Sequence, residues 1–125
     1  MVRAFVANAK AADIKVLQTH IAQEKQAVQG GDVPGRTELL GNFHVRMAQL
    51  MRNDVLAQLL SDLISRSALI TLMYQTSSAA AHSHEEHEQI LKAIKARNAD
   101  KAIELMDAHL RHVEVALNFS QHNTL

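Results

Sequence analysis

Residues 85–117, "EEHEQILKAIKARNADKAIELMDAHLRHVEVAL", carry two helical patterns separated by a short polar break. On both sides of the break, apolar residues recur at intervals of three and four, the spacing of one buried face of an α-helix. The first pattern ends near Arg97, Asn98 or Asp100 can cap the second, and the second runs to about Asn118. The stretch therefore predicts two consecutive helices with a short connection.

The remainder of the chain has the same helical character. Helices are predicted over residues 11–29, about 37–51 and about 54–76, after a short helical segment within the first ten residues. Three of the four glycines and the single proline fall in "QGGDVPGR", residues 29–36, and no run of alternating β-branched residues predicts a strand. The prediction is an all-α protein: one domain over residues 1–125, folded as an antiparallel bundle of about six helices.

The helix that contains His87 is predicted to begin near Ser83. The preceding segment "SSAAAHS", residues 77–83, is expected to be a loop or a frayed end. Ser83 and Glu86 fit a capping box, in which a hydroxyl and a carboxylate three residues later satisfy backbone amides at the helix start.

Charge and composition exclude several classes of function. Thirteen basic and thirteen acidic residues give no net charge, which argues against this segment alone binding nucleic acid or an anionic membrane. The absence of cysteine excludes a disulfide or thiolate metal site and is compatible with a reducing cytoplasm. No apolar run approaches the ~18 residues that a membrane span needs.

Eight histidines are the unusual feature of the composition. The face on which each one lies follows from the residues three, four and seven positions away. Three are predicted to point into the bundle from three different helices: His44, His87 and His109. The others are predicted outside it: His20 and His84 on exposed faces, His112 on a flank, His82 in a loop and His122 in the polar tail.

Two interpretations of the inward histidines remain open from their spacing. Each imidazole can be an ordinary core group hydrogen-bonded to its own neighbour. Alternatively, all three can bind one divalent metal, since neutral imidazole is a preferred ligand of such ions. Three ligands would leave coordination positions open for water or for a carboxylate.

Catalysis at such a metal would require an inward carboxylate as a base, and none is predicted. Four acidic residues are predicted to lie on polar faces or to point away from the apolar stripe: Asp62, Glu86, Glu88 and Asp107. His84 and Glu88 form a single His-x-x-x-Glu pair on a predicted solvent face, which is a weak signal.

Arg66 lies in the middle of an apolar stripe that includes Leu59, Leu63 and Ile70. The guanidinium can pair with Asp62 and reach water. It can also point into the bundle and hold a carboxylate with two hydrogen bonds beside the metal.

The stretch "NFHVRMAQLMRNDVL", residues 42–56, and the opening stretch together resemble the FCD domain, the effector-binding domain of FadR-type GntR transcription regulators. The resemblance covers about Ala11 to Asn118. In that family the histidines of the Phe-His, Glu-His and His-Leu motifs are metal ligands, and they correspond here to His44, His87 and His109.

Two departures from the family pattern affect what is expected. Many members carry an aspartate ligand four residues before the Phe-His histidine, where this chain has Leu40. The metal would then be held by three histidines plus water or effector, or the imidazoles would hold an anion without it. The family's winged helix-turn-helix domain is also missing, so the chain is expected to be a C-terminal fragment.

The resemblance implies the ligand-sensing and dimerising domain of a bacterial, cytoplasmic transcription regulator. A small organic acid would bind a zinc or nickel ion (iron and manganese also suit) on His44, His87 and His109, with Arg66 on its far carboxylate. DNA would be bound by the homodimer only through the missing N-terminal domain. The alternatives are a small metal-dependent hydrolase or isomerase, and a purely structural dimerisation bundle.

Overall fold

The computed structural model describes the backbone of residues 2–66 and 76–124 and the side chains of residues 2–63 and 76–112. These residues form six helices and no strand, which confirms the all-α prediction. The helices are α1 (Val2–Asn8), α2 (Ala11–Gln29), α3 (Val33–Leu50), α4 (Asp54–Arg66), α5 (Ser77–Lys95) and α6 (Ala99–Thr124). No helix of the described part is long and apolar enough to cross a membrane.

Three short connections, residues 30–32, 51–53 and 96–98, are built in the same way. The middle residue of each has a positive φ: Gly31 at 69°, Arg52 at 60° and Arg97 at 57°. In each connection the amide of the third residue bonds to the carbonyl five residues earlier, over 3.0 to 3.1 Å, which is a Schellman ending of the preceding helix. That third residue, Asp or Asn, then caps the next helix with its side chain.

These connections return the chain onto itself and set the order of packing. Helices α2, α3 and α4 pack in succession, α5 packs against α6, and α2 packs against α5. The buried core lies between them and includes Leu17, Phe43, Met47, Ile90 and Ile94.

Several predicted boundaries are wrong. Helix α3 begins at Val33 rather than Thr37, because Asp32 caps it and Pro34 fits the first turn. Helix α6 continues to Thr124 rather than ending near Asn118.

The predicted loop over residues 77–83 is the first part of α5. Thr76 is its N-cap, and the Thr76 hydroxyl accepts a hydrogen bond from the amide of Ala79 over 3.2 Å. The capping box at Ser83 and Glu86 is therefore also wrong, since Ser83 is buried inside the helix. The run of alanines has high helix propensity and extends the helix by about two turns.

Helix α4 departs from the predicted buried stripe. Leu59 and Leu63 are 54% and 59% exposed, and Val55 is 82% exposed. Residues 67–75, which include Ile70, lie outside the described residues.

Candidate metal centre

The three histidines predicted to point inward lie together between α3, α5 and α6. The side chains of His87 and His109 are fully buried and His44 is partly buried. Each offers a ring nitrogen, and these three nitrogens lie within 4.8 Å of one another. The ring centroids are 4.7 Å apart for His87 and His109, 5.4 Å for His44 and His109, and 5.8 Å for His44 and His87. The rings can therefore reach a common point.

A buried carboxylate from α2 fixes the orientation of His87. The Nδ1 of His87 donates to Glu24, at 2.8 Å from Oε2 and 3.1 Å from Oε1. On the other side, Phe43 stacks on the His87 ring with centroids 4.0 Å apart and planes 14° apart. Because Nδ1 carries the donated proton, neutral His87 presents the lone pair of Nε2 to the other histidines.

A second carboxylate acts on His109 in the same way. The Nδ1 of His109 donates to Oε1 of Glu86, on the neighbouring helix α5, over 3.0 Å. The Nε2 of neutral His109 is therefore also unprotonated. Hydrogen bonding of the distal imidazole nitrogen to a carboxylate is the usual support of a metal-bound histidine.

The two unprotonated nitrogens face each other. The Nε2 atoms of His87 and His109 are 3.2 Å apart. Two lone pairs at that distance repel unless a proton or a cation lies between them. Nitrogens bound to one ion at ~2.0 to 2.1 Å are separated by roughly 3.0 Å in octahedral and 3.3 Å in tetrahedral coordination. The observed spacing thus fits a shared metal ion.

Electrostatics favour the neutral form of the third ring. Burial, with the proximity of His87 and His109, lowers the pKa of His44 to about 3. Burial also lowers the pKa of His109. Neutral imidazole is the form that binds a metal. The burial that lowers the pKa of His44 and His109 therefore keeps both rings in the form that can bind an ion.

The carboxylates of the site are held ionised. Burial opposes ionisation of Glu24, but hydrogen bonds from His20, His84 and His87 outweigh it and lower its pKa to about 2. For Glu86, burial is likewise outweighed by hydrogen bonds from His109 and His112, and its pKa is lowered. Two negative charges thus lie behind the histidine rings and favour a cation in front of them.

Two histidines predicted to be exposed are buried. His84 is 5% exposed, and its Nδ1 lies 3.1 Å from Oε1 of Glu24. His20 is 4% exposed; its Nε2 donates to the carbonyl of Leu39 over 2.8 Å and lies 3.5 Å from Oε2 of Glu24. Both predictions are wrong because Glu24 is itself inside the bundle and draws these rings toward it.

The position of Glu24 could have been found from the sequence. It lies seven residues after Leu17, three after Ile21 and four before Val28, on the buried face of α2. Likewise, His84 lies seven residues before buried Leu91. In both cases the neighbouring polar residues suggest an exposed position, whereas the spacing from buried apolar residues indicates a buried one.

The absence of an inward carboxylate is also a wrong prediction. Glu24 is fully buried. However, it contacts His87 at Nδ1, so the imidazole ring separates it from the space that Nε2 faces. The carboxylate is placed to orient a ligand rather than to take a proton from a molecule bound in front of the rings.

The remaining predicted features lie around this centre. Leu40, one helical turn before His44, is fully buried. An apolar cavity of 630 Å³ opens beside His44, and Leu56, Leu60 and Met106 are among the residues that line it. Arg66 is predicted to hold an effector carboxylate, but its side chain is not among those that the structure describes.

Comparison with known proteins identifies a matching family and a similar protein. The family model for the FCD domain matches residues 1–112 of the chain. The chain is also similar to the Uxu operon regulator of Haemophilus influenzae, with 33% identity over 82 residues. That alignment covers 61% of this chain and 31% of the relative, so it spans about a third of that protein's length. No solved structure matches the chain.

Proposed function

The chain belongs to the FCD domain family, and we propose that it is the effector-sensing domain of a bacterial transcription regulator, with a divalent metal ion held by His44, His87 and His109. The similarity to an operon regulator supports the regulatory role. The observation that carries the metal proposal is the 3.2 Å approach of two Nε2 atoms whose rings both donate through Nδ1 to carboxylates, that of His87 to the buried Glu24 and that of His109 to the partly exposed Glu86. Zinc or nickel suits three imidazoles best among the common divalent ions.

The proposed effector is a small organic acid. Three protein ligands leave room in the coordination shell, and a bound divalent ion would supply a Lewis acid that accepts a carboxylate oxygen. The cavity beside His44 is walled mainly by apolar side chains, which suit the carbon chain of such an acid. We assign Arg66 to a second carboxylate of the same molecule.

Regulation would follow from unequal binding to two packings of the helices. The cavity is lined by residues of α1, α4 and α6 and by His44 of α3, so a ligand there lies between four helices. An acid that fits one arrangement of α4 better than another would shift the bundle toward that arrangement. DNA binding is assigned to a separate domain of the regulator, because these residues carry no net charge.

Dimerisation is assigned to the exposed apolar side of α4. Val55, Leu59 and Leu63 repeat at intervals of four residues and are each more than half exposed. An apolar row of this kind favours contact with a second copy of the chain. Sedimentation should find a dimer for the wild type and a monomer for Leu59→Glu; a wild-type monomer at high concentration contradicts the assignment.

Elemental analysis of protein purified without an affinity tag tests the metal directly. We expect about one metal equivalent in the buried centre of the wild type and its loss in His87→Ala. Sub-stoichiometric metal in the wild type that is unchanged by His87→Ala would overturn the proposal. Dicarboxylic acids should then raise the melting temperature of the metal-loaded wild type, and should not do so in His87→Ala.

A further inference from the structure

A second group of histidines lies on the outer side of Glu86. His82 precedes Glu86 by one turn of α5, and its side chain is 64% exposed; His112 reaches across from α6 and is 55% exposed. Oε2 of Glu86 lies 2.5 Å from Nδ1 of His112 and 4.0 Å from Nε2 of His82. One ligand atom from each of the three residues lies within 4.8 Å of the other two.

We propose that His82, Glu86 and His112 form a second divalent metal site, at the surface and separate from the buried centre. Two imidazoles and one carboxylate are a donor set that zinc-like ions accept. The i, i+4 spacing of His82 and Glu86 places both side chains on the same face of α5. The ring centroids of His82 and His112 are 5.7 Å apart, so small rotations of the two side chains can bring one nitrogen of each ring to the same ion. Solvent completes the coordination shell.

The two oxygens of Glu86 have different partners, which makes this site chemically reasonable. Oε1 accepts the hydrogen bond from His109 in the buried centre, while Oε2 faces His82 and His112. An ion on Oε2 therefore does not have to displace the bond to His109. It does have to open the short Glu86–His112 contact, since ligands of one ion are roughly 3.0 to 3.3 Å apart. Metal binding here is accordingly weaker than in the buried centre.

Zn²⁺ and Co²⁺ titrations of untagged, chelator-treated protein test this site. We expect two equivalents in the wild type, a tight one and a weaker one. The double variant His82→Ala/His112→Ala should lose only the weaker equivalent, and Arg111→Ala, an exposed neighbour on α6, should keep both. A wild type that binds a single equivalent, unaffected by the double variant, overturns the second site.

The same titrations separate this inference from the proposed function. His87→Ala should lose the tight equivalent and keep the weaker one. If instead the wild type binds one equivalent that depends on His82 and His112 but not on His87, the surface site stands and the buried centre fails. Glu86→Gln should weaken both equivalents, because one oxygen serves each site, whereas Glu85→Gln, an exposed neighbour, should weaken neither.

Discussion

Glu24 is the residue on which the geometry of the buried centre most depends. One fully buried carboxylate lies within 3.5 Å of ring nitrogens of His20, His84 and His87. It fixes the tautomer of His87 and supplies the negative charge that a metal in front of that ring requires. A glutamine can still accept from one histidine, but it carries no charge.

Glu24→Gln is therefore expected to weaken Zn²⁺ binding in the buried centre by about 10- to 100-fold, the usual effect of losing a carboxylate behind a metal-bound histidine. Competition titration with a chelator of known affinity measures the change. The matched control is Glu85→Gln, an exposed carboxylate on α5 that should leave affinity unchanged. Equal affinities for wild type and Glu24→Gln, with both folded by circular dichroism, contradict this role.

His44 makes stability depend on pH in metal-free protein. Its pKa is lowered from 6.5 to about 3 by burial, so below pH 6.5 the unfolded chain binds a proton that the folded chain does not. The free energy of unfolding therefore falls as the pH falls, by ~1.4 kcal/mol for each pH unit below 6.5. The pKa of Glu24 is lowered from 4.5 to about 2, so ionised Glu24 stabilises the folded chain at pH values above 4.5. Its charge does not change near pH 6.5, and the pH dependence there is not due to Glu24.

Between pH 7.5 and 5.5, we expect His44 to contribute a loss of about 1.4 kcal/mol in the free energy of unfolding. Urea unfolding in the presence of chelator measures this loss. His44→Gln should remove that contribution, so its pH dependence should be shallower than that of the wild type. Equal losses in the two proteins would show that His44 does not carry the effect.

At the scale of helices, the three Schellman connections explain why the bundle closes with so few linking residues. Gly31 adopts a positive φ without steric cost, but Arg52 and Arg97 adopt the same conformation with a Cβ atom. Arg97 gains a compensating bond, from Nη1 to the carbonyl of Val6 over 2.9 Å. Arg52 is exposed.

Arg52→Gly is expected to stabilise the protein by roughly 0.5 to 1 kcal/mol, because relief of the left-handed strain exceeds the added flexibility of the unfolded chain. Arg97→Gly relieves the same strain but loses its bond to α1, so it should be neutral or destabilising. Urea unfolding of the pair compares them. A destabilised Arg52→Gly would mean that the arginine side chain makes a contribution larger than the strain.

The accuracy of the sequence predictions follows the strength of local signals. Helix α2 has the predicted bounds, because Gly30 and Gly31 end it unambiguously. The predicted start of α5 is about two turns too late, since Thr76 and Ser83 both offer caps and the alanines between them extend the helix to the earlier one. The sequence does not predict the role of Glu24, because that role depends on histidines 60 and 63 residues away and polar residues on α2 are otherwise typical of a solvent-exposed face.

For the whole molecule, the buried centre joins α3, α5 and α6 at positions that are far apart in the chain. With neither an ion nor a proton between them, the Nε2 atoms of neutral His87 and His109 repel at 3.2 Å, which is an unfavourable contact in the interior of the metal-free bundle. An ion that binds only the folded chain removes that repulsion and stabilises the bundle by mass action. A purely structural bundle has neither property, and its stability is indifferent to a chelator.

Zn²⁺ at about 100 times its dissociation constant should add ~2.7 kcal/mol to the free energy of unfolding, and thereby raise the melting temperature by roughly 10 °C over protein in chelator. Differential scanning calorimetry measures the shift. His44→Ala/His109→Ala should keep only the small shift that the weaker surface site supplies, whereas His82→Ala/His112→Ala should keep most of the wild-type shift. If chelator does not change the melting temperature of the wild type, the three histidines are ordinary core groups. Removal of an ion that holds three helices together must lower the stability of the bundle.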